Sequence, residues 1–215
     1  MVPSEKLTEA EIIWRVMGGE KALYEIIVRR FNPYLYKIGR SYNYNHQDTQ
    51  DLMQETFIDA YRSLSQFEGR ANFKTWIIRI MMNNCYRKKE KSGFKNEVMQ
   101  DVNDQSTPMF THTHSDTDSI VQNHELGHII ENALGKIPLD YRMVFSLREI
   151  NGLNVAETAE MLHISKANVK VRLNRAKTML RGEIEKTYSA SELFEFNLIY
   201  CDAMVENVMK EINGL

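Results

Sequence analysis

Cysteine and long apolar runs are both scarce in this sequence, and each scarcity excludes a class of protein. Only two cysteines occur, Cys85 and Cys201, so there is no disulfide framework and the chain fits a reducing cytosol. No segment approaches the roughly 20 apolar residues of a membrane-spanning helix, and the N-terminus has no apolar signal core. We therefore expect a cytoplasmic protein that does not insert into a membrane.

An excess of basic charge is also missing, because the net charge is −2. Any surface that binds nucleic acid must then be a local basic patch, which acidic stretches balance elsewhere. We find neither sustained period-two alternation nor a repeat of fixed period. Hydrophobic residues make up 43% of the 215, which is enough for the core of one large domain or two small ones.

Apolar residues instead recur at helical spacing, and the sequence predicts an all-α fold. Thr8 and Glu11 form a capping box before a first helix, which Gly18-Gly19 should end. We expect the next helical stripe to break near Pro33. Asp48 is expected to cap the helix that follows, with Asp51 in the first turn near the positive end of the helix dipole.

The pattern divides the chain into two small helical domains, residues 1–91 and 123–187. Between them, residues 92–122 are rich in Asn, Asp, Gln, Ser and Thr and carry an acidic excess, which predicts a flexible acidic linker. Residues 188–215 predict a C-terminal helix that is apolar on more than one side. From the residues alone, this linker could equally be a plain solubilising tether that has no binding role of its own.

Residues 67–91 combine aromatic, amide and basic side chains. A short loop that contains Gly69 precedes a helix with Asn83 and Asn84 side by side, and this helix ends in basic residues. Rings stack on bases, amides bind base edges and cations bind phosphates, so the combination is typical of a surface that binds single-stranded nucleic acid. The alternative is an amphipathic core helix with a solvated basic end.

Residues 155–177 have the form of a DNA-binding helix-turn-helix. Ala159 is small enough for two helices to cross closely, Ile164 can fill the space between them, and Ser165 can cap the second helix. Basic and amide side chains follow on that helix, where they could bind DNA or form a solvated face. His163 occupies the turn, where glycine is common and where a left-handed backbone would be strained.

Together the two blocks resemble the sigma-70 family, and specifically its small extracytoplasmic-function (ECF) members, over about residues 20–185. The first block matches in Asp51-Leu-Met-Gln-Glu-Thr-Phe-Ile-Asp-Ala-Tyr-Arg and in Phe67-Glu-Gly-Arg-Ala-Asn-Phe-Lys-Thr-Trp. The second begins at Ile137-Pro-Leu-Asp-Tyr-Arg and ends in Val169-Lys-Val-Arg-Leu-Asn-Arg-Ala-Lys. The resemblance implies a sigma factor, with region 2 and region 4 as its two domains. Such a protein binds core RNA polymerase, directs it to promoters and is not itself an enzyme.

The resemblance also implies three binding surfaces. Contacts with the melted −10 strand would be made by Gly69, Arg70, Ala71, Asn72, Phe73, Lys74, Trp76, Arg79, Asn83, Arg87, Lys88 and Lys89. Contacts with the −35 duplex would be made by Ser165, Lys166, Asn168, Val169, Lys170, Arg172 and Arg175. Core polymerase would bind Asp51, Gln54, Glu55 and Asp59, which could otherwise be only a solvated helix face. An anti-sigma factor is a further candidate partner, and no cofactor is implied.

Two other functions are compatible with parts of the sequence. A stand-alone helix-turn-helix regulator would bind duplex DNA without polymerase. His124-Glu125-Leu126-Gly127-His128 matches the H-E-x-x-H signature of zinc proteases, in which two histidines bind the metal and the glutamate acts as a base. A third ligand would have to come from Glu149 or Glu157. Gly127 weakens that helix and no active-site scaffold is evident, so we expect no metal site.

Overall fold

A computed structural model of the chain describes residues 7–91, 127–187, 208–210 and 212. Every regular element among them is helical, as the sequence predicts. The helices are α1 (Glu9–Met17), α2 (Tyr24–Ser41), α3 (His46–Arg62), α4 (Phe73–Lys91), α5 (127–135), α6 (Leu139–Phe145), α7 (Val155–Met161) and α8 (Lys166–Thr187). Short 3-10 turns lie at Lys21–Leu23 and Leu64–Gln66, and a π-helical turn at Ser146–Ile150 extends α6. The expected linker lies outside the described residues, as does most of the expected C-terminal helix.

Helix α1 begins with the predicted capping box. The backbone N–H of Glu11 donates to Thr8 Oγ1 at 3.3 Å, and the Thr8 N–H donates to the Glu11 carboxylate at 2.8 Å. The helix ends at Met17, and Gly18 is its C-cap. Two of the backbone groups that a helix N-terminus leaves without partners are therefore satisfied by side chains of the helix itself.

Two local expectations are wrong. Helix α2 continues through Pro33, because the residues on both sides of it, Phe31 and Leu35, are held in the core, and their burial outweighs the loss of one helical hydrogen bond. Helix α3 is capped by Asn45, whose side chain accepts from the Asp48 N–H at 2.7 Å. Asp48 is thus the third residue of the helix.

Helices α1 to α4 pack around one hydrophobic core. Helix α4 lies across both α2 and α3 and buries its face through Ile77, Ile78 and Met81. Phe67 and Phe73 meet edge-on with ring centroids 5.2 Å apart, and this contact ties the loop before α4 to the core. The loop and helix that the sequence singles out are therefore held on a rigid base.

Helices α5 to α8 form the second half. The helix-turn-helix consists of α7 and α8, and its small core contains Val144, Ala159 and Val169. Ile164 packs against this core, as predicted. His163 has φ +53°, so the turn does use the left-handed conformation.

The two halves are packed against each other. Met143, Leu147, Leu153 and Met161 of the second half belong to the same hydrophobic cluster as the core of the first. The sequence predicts two domains on a flexible linker and gives no sign of this contact. The shared cluster places α7 beside α4, and this proximity bears directly on the DNA-binding surface.

Candidate nucleic-acid interface

The loop before α4 presents the first group of predicted −10 residues. Gly69, Arg70, Ala71 and Asn72 are all exposed. Gly69 has φ +69°, a conformation that favours glycine, and Asn72 Oδ1 accepts from the Lys74 N–H at 2.9 Å and so caps the start of α4. The loop therefore has an exposed surface on a backbone that is fixed at its helical end.

Helix α4 places Arg79, Asn83 and Tyr86 on one exposed face, at steps of four and three residues. Tyr86 is 57% exposed and is absent from the predicted site, although its helical spacing from Asn83 could have identified it. Asn84 has the opposite environment, since it is 2% exposed. Its amide donates to Thr56 Oγ1 and to the Asp59 carboxylate, each at 3.2 Å. One asparagine faces solvent, and its neighbour joins α4 to α3.

Two predicted DNA contacts are corrected by their burial. Phe73 is 2% exposed in the core of the first half, and Val169 is 0% exposed between α7 and α8. Neither side chain can reach DNA in this arrangement, so both are core residues that hold exposed neighbours in place. Trp76 is half-buried, with its ring 5.3 Å from that of Phe67.

The basic end of α4 is paired with acidic residues of α3. Arg87 lies 3.7 Å from the Glu55 carboxylate and 3.6 Å from that of Asp59, and Lys88 Nζ lies 2.6 Å from Asp48. Lys89 is half-buried. Predicted phosphate ligands are thus already neutralised by carboxylates, some of which belong to the predicted polymerase surface.

The predicted polymerase surface lies on the outer face of α3. Asp51, Gln54 and Glu55 are exposed, while Asp59 is half-buried against α4. Beside this face, α2 and α3 form an open groove of about 810 Å³, whose apolar lining includes Tyr24, Val28, Met53, Phe57 and Tyr61. The sequence indicated the acidic rim but not the groove, which forms only when the two helices pack.

Helix α8 carries the predicted −35 surface. Ser165 Oγ accepts from the Asn168 N–H at 3.1 Å, so its hydroxyl caps the helix. Lys166 and Lys170 are exposed one turn apart, and Asn168 is half-buried. Arg172 turns back towards α6, where its guanidinium lies 3.2 Å from Asp140.

Arg175 is also exposed, and its guanidinium lies 3.5 Å from the Tyr141 hydroxyl, at the limit of a hydrogen bond. Among the predicted cations of α8, Lys166 and Lys170 are therefore the most available to bind phosphate.

Several pKa values are shifted around α4. Desolvation lowers the pKa of Lys74, whose Nζ lies 4.0 Å above the ring of Tyr34. Burial raises the pKa of the Cys85 thiol to about 12. A hydrogen bond from Arg79 lowers the pKa of Glu160. The first two shifts follow from packing. The third arises because Arg79, a predicted DNA contact, is paired with the carboxylate of Glu160.

The described residues offer no scaffold for a zinc protease, because no group of three or more His, Cys, Asp or Glu side chains among them could hold a metal. His124 and Glu125 lie outside them. Of the two candidate third ligands, Glu149 pairs with Lys177 at 3.2 Å and Glu157 caps the start of α7. No helix in the described part of the chain is long and apolar enough to span a membrane.

Comparison with known proteins identifies both halves. The sigma-70 region 2 family model matches residues 27–94, and the model of sigma-70 region 4 matches residues 127–180. The ECF RNA polymerase sigma-E factor of Haemophilus influenzae is 28% identical over 186 residues, covering 85% of this chain and 98% of that protein. The sigma-E factor of Escherichia coli K12 is 27% identical over 187 residues, covering 85% and 97%.

Two solved structures share the fold. One is CnrH in complex with the cytosolic domain of CnrY, with a TM-score of 0.58 and 20% identity over 82% of this chain and 97% of CnrH. The other is the sigma factor RpoE in complex with the anti-sigma factor NepR from Bartonella quintana. Its TM-score is 0.55, with 22% identity over 73% of this chain and 92% of RpoE. With a family model on each half, the chain belongs to the sigma-70 family, as an ECF-type sigma factor that directs RNA polymerase to initiate transcription at specific promoters.

Proposed function

We propose that this sigma factor uses three separate surfaces in transcription initiation, each of which binds a different partner. The outer face of α3 binds core polymerase, α4 with its preceding loop binds the melted −10 strand, and α8 binds the −35 duplex. The observation that carries the proposal is the face of α4, where a cation, an amide and an aromatic ring follow one another on successive turns. These groups suit phosphate, base edge and base face in that order.

The −10 contacts begin in the loop at Gly69–Asn72. A base that leaves the duplex stack costs a few kcal/mol of unstacking, which a prepared pocket must offset. The loop suits this task because the cap at Asn72 and the Phe67–Phe73 contact fix its ends without covering its exposed residues. Asn83 then binds a base edge, and Tyr86 adds a stacking surface that the sequence-based prediction did not include.

The −35 contacts centre on Lys166, Asn168 and Lys170 at the start of α8. A recognition helix places its N-terminal residues against base edges, and cations on its outer face bind phosphates. Ser165 supports this end of the helix as its cap. Arg175 extends the same basic surface. Arg172 forms an ion pair with Asp140, so its charge is less available to a phosphate.

The polymerase contact combines the exposed acidic and amide face of α3 with the adjoining α2–α3 groove. An apolar groove with a polar rim resembles the general arrangement of a protein interface, in which a hydrophobic centre lies inside a solvated edge. Asp51 and Gln54 supply that rim, and Glu55 lies near them on the exposed face of α3. Asp59 is more enclosed and also fixes Asn84, so it serves both the surface and the fold.

The chain acts as a binding factor without catalysis of its own, and we place it in the cytoplasm, where RNA polymerase works. The RpoE structure contains an anti-sigma factor, and the CnrH structure contains a cytosolic partner domain. We therefore expect a regulatory protein of the anti-sigma class to bind this chain as well. The domain limits of residues 1–91 and 123–187 remain our proposal for the units that carry these surfaces.

Run-off transcription with purified core polymerase tests the proposal. The full chain should support initiation at discrete start points, and core polymerase alone should not. If the chain instead binds duplex sites by itself and never supports initiation with any core enzyme, a stand-alone regulator becomes the correct function.

A further inference from the structure

Residues 188–215 carry an apolar pattern that none of the three proposed surfaces uses. Ser189 and Glu192 have the three-residue spacing of a capping box, which favours a helix that begins there. Apolar side chains then recur at alternating steps of four and three residues, and together they form what we call the C-terminal seam: Phe194, Leu198, Cys201, Val205, Val208, Ile212 and Leu215. This is the heptad spacing of a coiled coil, sustained over three heptads.

The outer side of the segment differs between its two halves. In heptad notation Leu198, Val205 and Ile212 are a positions, and the other four seam residues are d positions. The second half has no large apolar side chain at its outer b, c and f positions, which are Glu206, Asn207, Lys210, Asn213 and Gly214. The first half has a second apolar side, formed by Phe196, Ile199 and Tyr200. The second half is therefore amphipathic, with the seam as its apolar side.

The structure describes four residues of this segment, and all four agree with the heptad register. Residues 208–210 and 212 are helical and exposed. Val208 and Ile212, at d and a positions, are 47% and 54% exposed, and Met209 at the flanking e position is 47% exposed. Lys210 is at the f position, which is the outermost of the heptad. One turn of the seam is thus left uncovered in the single chain.

The open α2–α3 groove offers an apolar surface on the same chain, but its charge disfavours this segment. Asp51 lies on the rim of the groove and Glu55 is exposed close by. Residues 188–215 contain five acidic side chains and only one lysine. Packing the segment into the groove would therefore bring like charges together, which lowers affinity.

A second copy of the segment avoids this repulsion. In a parallel pair of helices, each g position faces the e position of the next heptad on the other helix. The facing side chains are Asn197 with Asp202 and Met204 with Met209, so no two carboxylates meet beside the seam. Two thioethers instead extend its apolar surface.

We propose that the C-terminal seam pairs with the same seam of a second copy of this chain, as a parallel two-stranded coiled coil. Val205 and Ile212 occupy a positions, where β-branched side chains favour two strands. The seam lies beyond residue 180, where the region 4 match ends, so the pair forms outside both matched regions. Three heptads make a small interface, and we expect a dissociation constant on the order of micromolar.

Sedimentation equilibrium of the full chain tests the pair. At concentrations from about tenfold below to about tenfold above that constant, the wild-type mass should rise from one chain towards two. Val208→Lys places a charge in the seam and should weaken association at least about tenfold. Asn207→Lys is the matched control, because it adds the same charge at a c position outside the seam and should leave the constant within about twofold.

Urea denaturation of both variants, at concentrations where the wild-type chain is single, should match the wild type, because the seam lies outside the two matched regions. A wild-type chain that stays single throughout overturns the pair, as does an assembly of three or more chains. Association of Val208→Lys as strong as that of the wild type would place the contact elsewhere and also overturns the seam. These measurements use the free chain, so neither result affects the proposed function.

Cys201 reports the parallel register. It occupies a d position, so the two Cys201 thiols face each other in a parallel, in-register pair. Oxidation of the full chain with diamide should give a disulfide-linked dimer that Cys201→Ser abolishes. Cys85→Ser removes a buried thiol and should leave the yield unchanged.

The yield of this dimer should fall at least about fivefold in Val208→Lys, in step with the weaker association. Equal yields in Val208→Lys and the wild type would show random collision of thiols and would count against the seam. A pair that sediments as two chains but forms no Cys201 disulfide would overturn the parallel register.

Discussion

Asn83 and Asn84 are adjacent in the sequence but have different environments. Asn83 is exposed on the face of α4 that we assign to the −10 strand. Asn84 is buried and donates to Thr56 and Asp59 of α3, and its own carbonyl oxygen accepts from Arg87. A helix turns by about 100° per residue, so one asparagine can bind a base while its neighbour stabilises the fold.

We predict that alanine variants separate these two roles. Asn83→Ala should impair open-complex formation and leave core binding intact, with a change in unfolding free energy of no more than about 0.5 kcal/mol. Asn84→Ala should lower the free energy of unfolding by about 1–3 kcal/mol, because buried partners lose their hydrogen bonds. Urea denaturation and permanganate footprinting of the open complex measure the two effects. Equal loss of core binding and open complex in Asn83→Ala would argue against base recognition.

At the scale of the element, the turn between α7 and α8 depends on a strained residue. His163 is exposed and has φ +53°, a conformation that costs a residue with a Cβ roughly 1–2 kcal/mol. The strain is tolerated because Ile164 on one side packs into the helix-turn-helix core and Ser165 caps α8. The turn is therefore fixed by its neighbours rather than by its own preference.

We expect His163→Gly to raise the free energy of unfolding by about 0.5–1 kcal/mol, which is the relief of strain less the greater entropy of glycine in the unfolded chain. His163→Ala keeps a Cβ and provides the comparison, since it should bring no such gain. Urea denaturation of the three chains measures the difference. Identical stability of the glycine and alanine variants would mean that the turn holds no strain at this residue.

Helix α8 allows a prediction about DNA affinity. Lys170 is exposed on the proposed −35 surface, whereas Lys177 pairs with Glu149 of the π-helical turn. Lys170→Gln should therefore weaken holoenzyme binding to promoter DNA and lower the slope of log affinity against log salt by about 0.9, the value for one phosphate contact on duplex DNA. Lys177→Gln should leave the slope unchanged. An unaltered slope for Lys170→Gln would remove it from the phosphate contacts.

At the scale of the whole molecule, the docked halves share charges as well as apolar surface. The Arg40–Glu131 pair joins α2 to α5 and is almost fully buried, so the loss of one partner would leave a charge inside the interface. A buried pair of this kind is expensive to break although its net contribution to folding can be small. The pair therefore contributes more to the specificity of the interface than to the net free energy of folding.

We predict that Glu131→Gln lowers the free energy of unfolding of the full chain by about 3–5 kcal/mol, the usual cost of one missing partner in a buried pair. Glu25→Gln is the control, because Glu25 forms an exposed pair with Arg29 and should change stability by less than about 1 kcal/mol. Guanidinium denaturation measures both. A change below about 1 kcal/mol in Glu131→Gln would show that the halves separate before they unfold.

Local sequence signals predicted the elements well where the partner was close along the chain. The Thr8–Glu11 capping box and the Ser165 cap are confirmed, because each depends on residues three positions apart. The expected helix break at Pro33 and the expected cap at Asp48 are wrong for a different reason. Core packing carries α2 through its proline, and Asn45 offered a competing cap three residues earlier.

The sequence by itself determined the helical class, the helix-turn-helix and the family, because periodicity, capping and ordered motifs are local properties of the chain. It could not separate Phe73 and Val169 from true surface residues, since burial depends on which helix packs above them. Only the tertiary structure decided that Arg79 of the first half meets Glu160 of the second. These residues are 81 positions apart along the chain, and no local preference encodes a contact that only two packed domains can form.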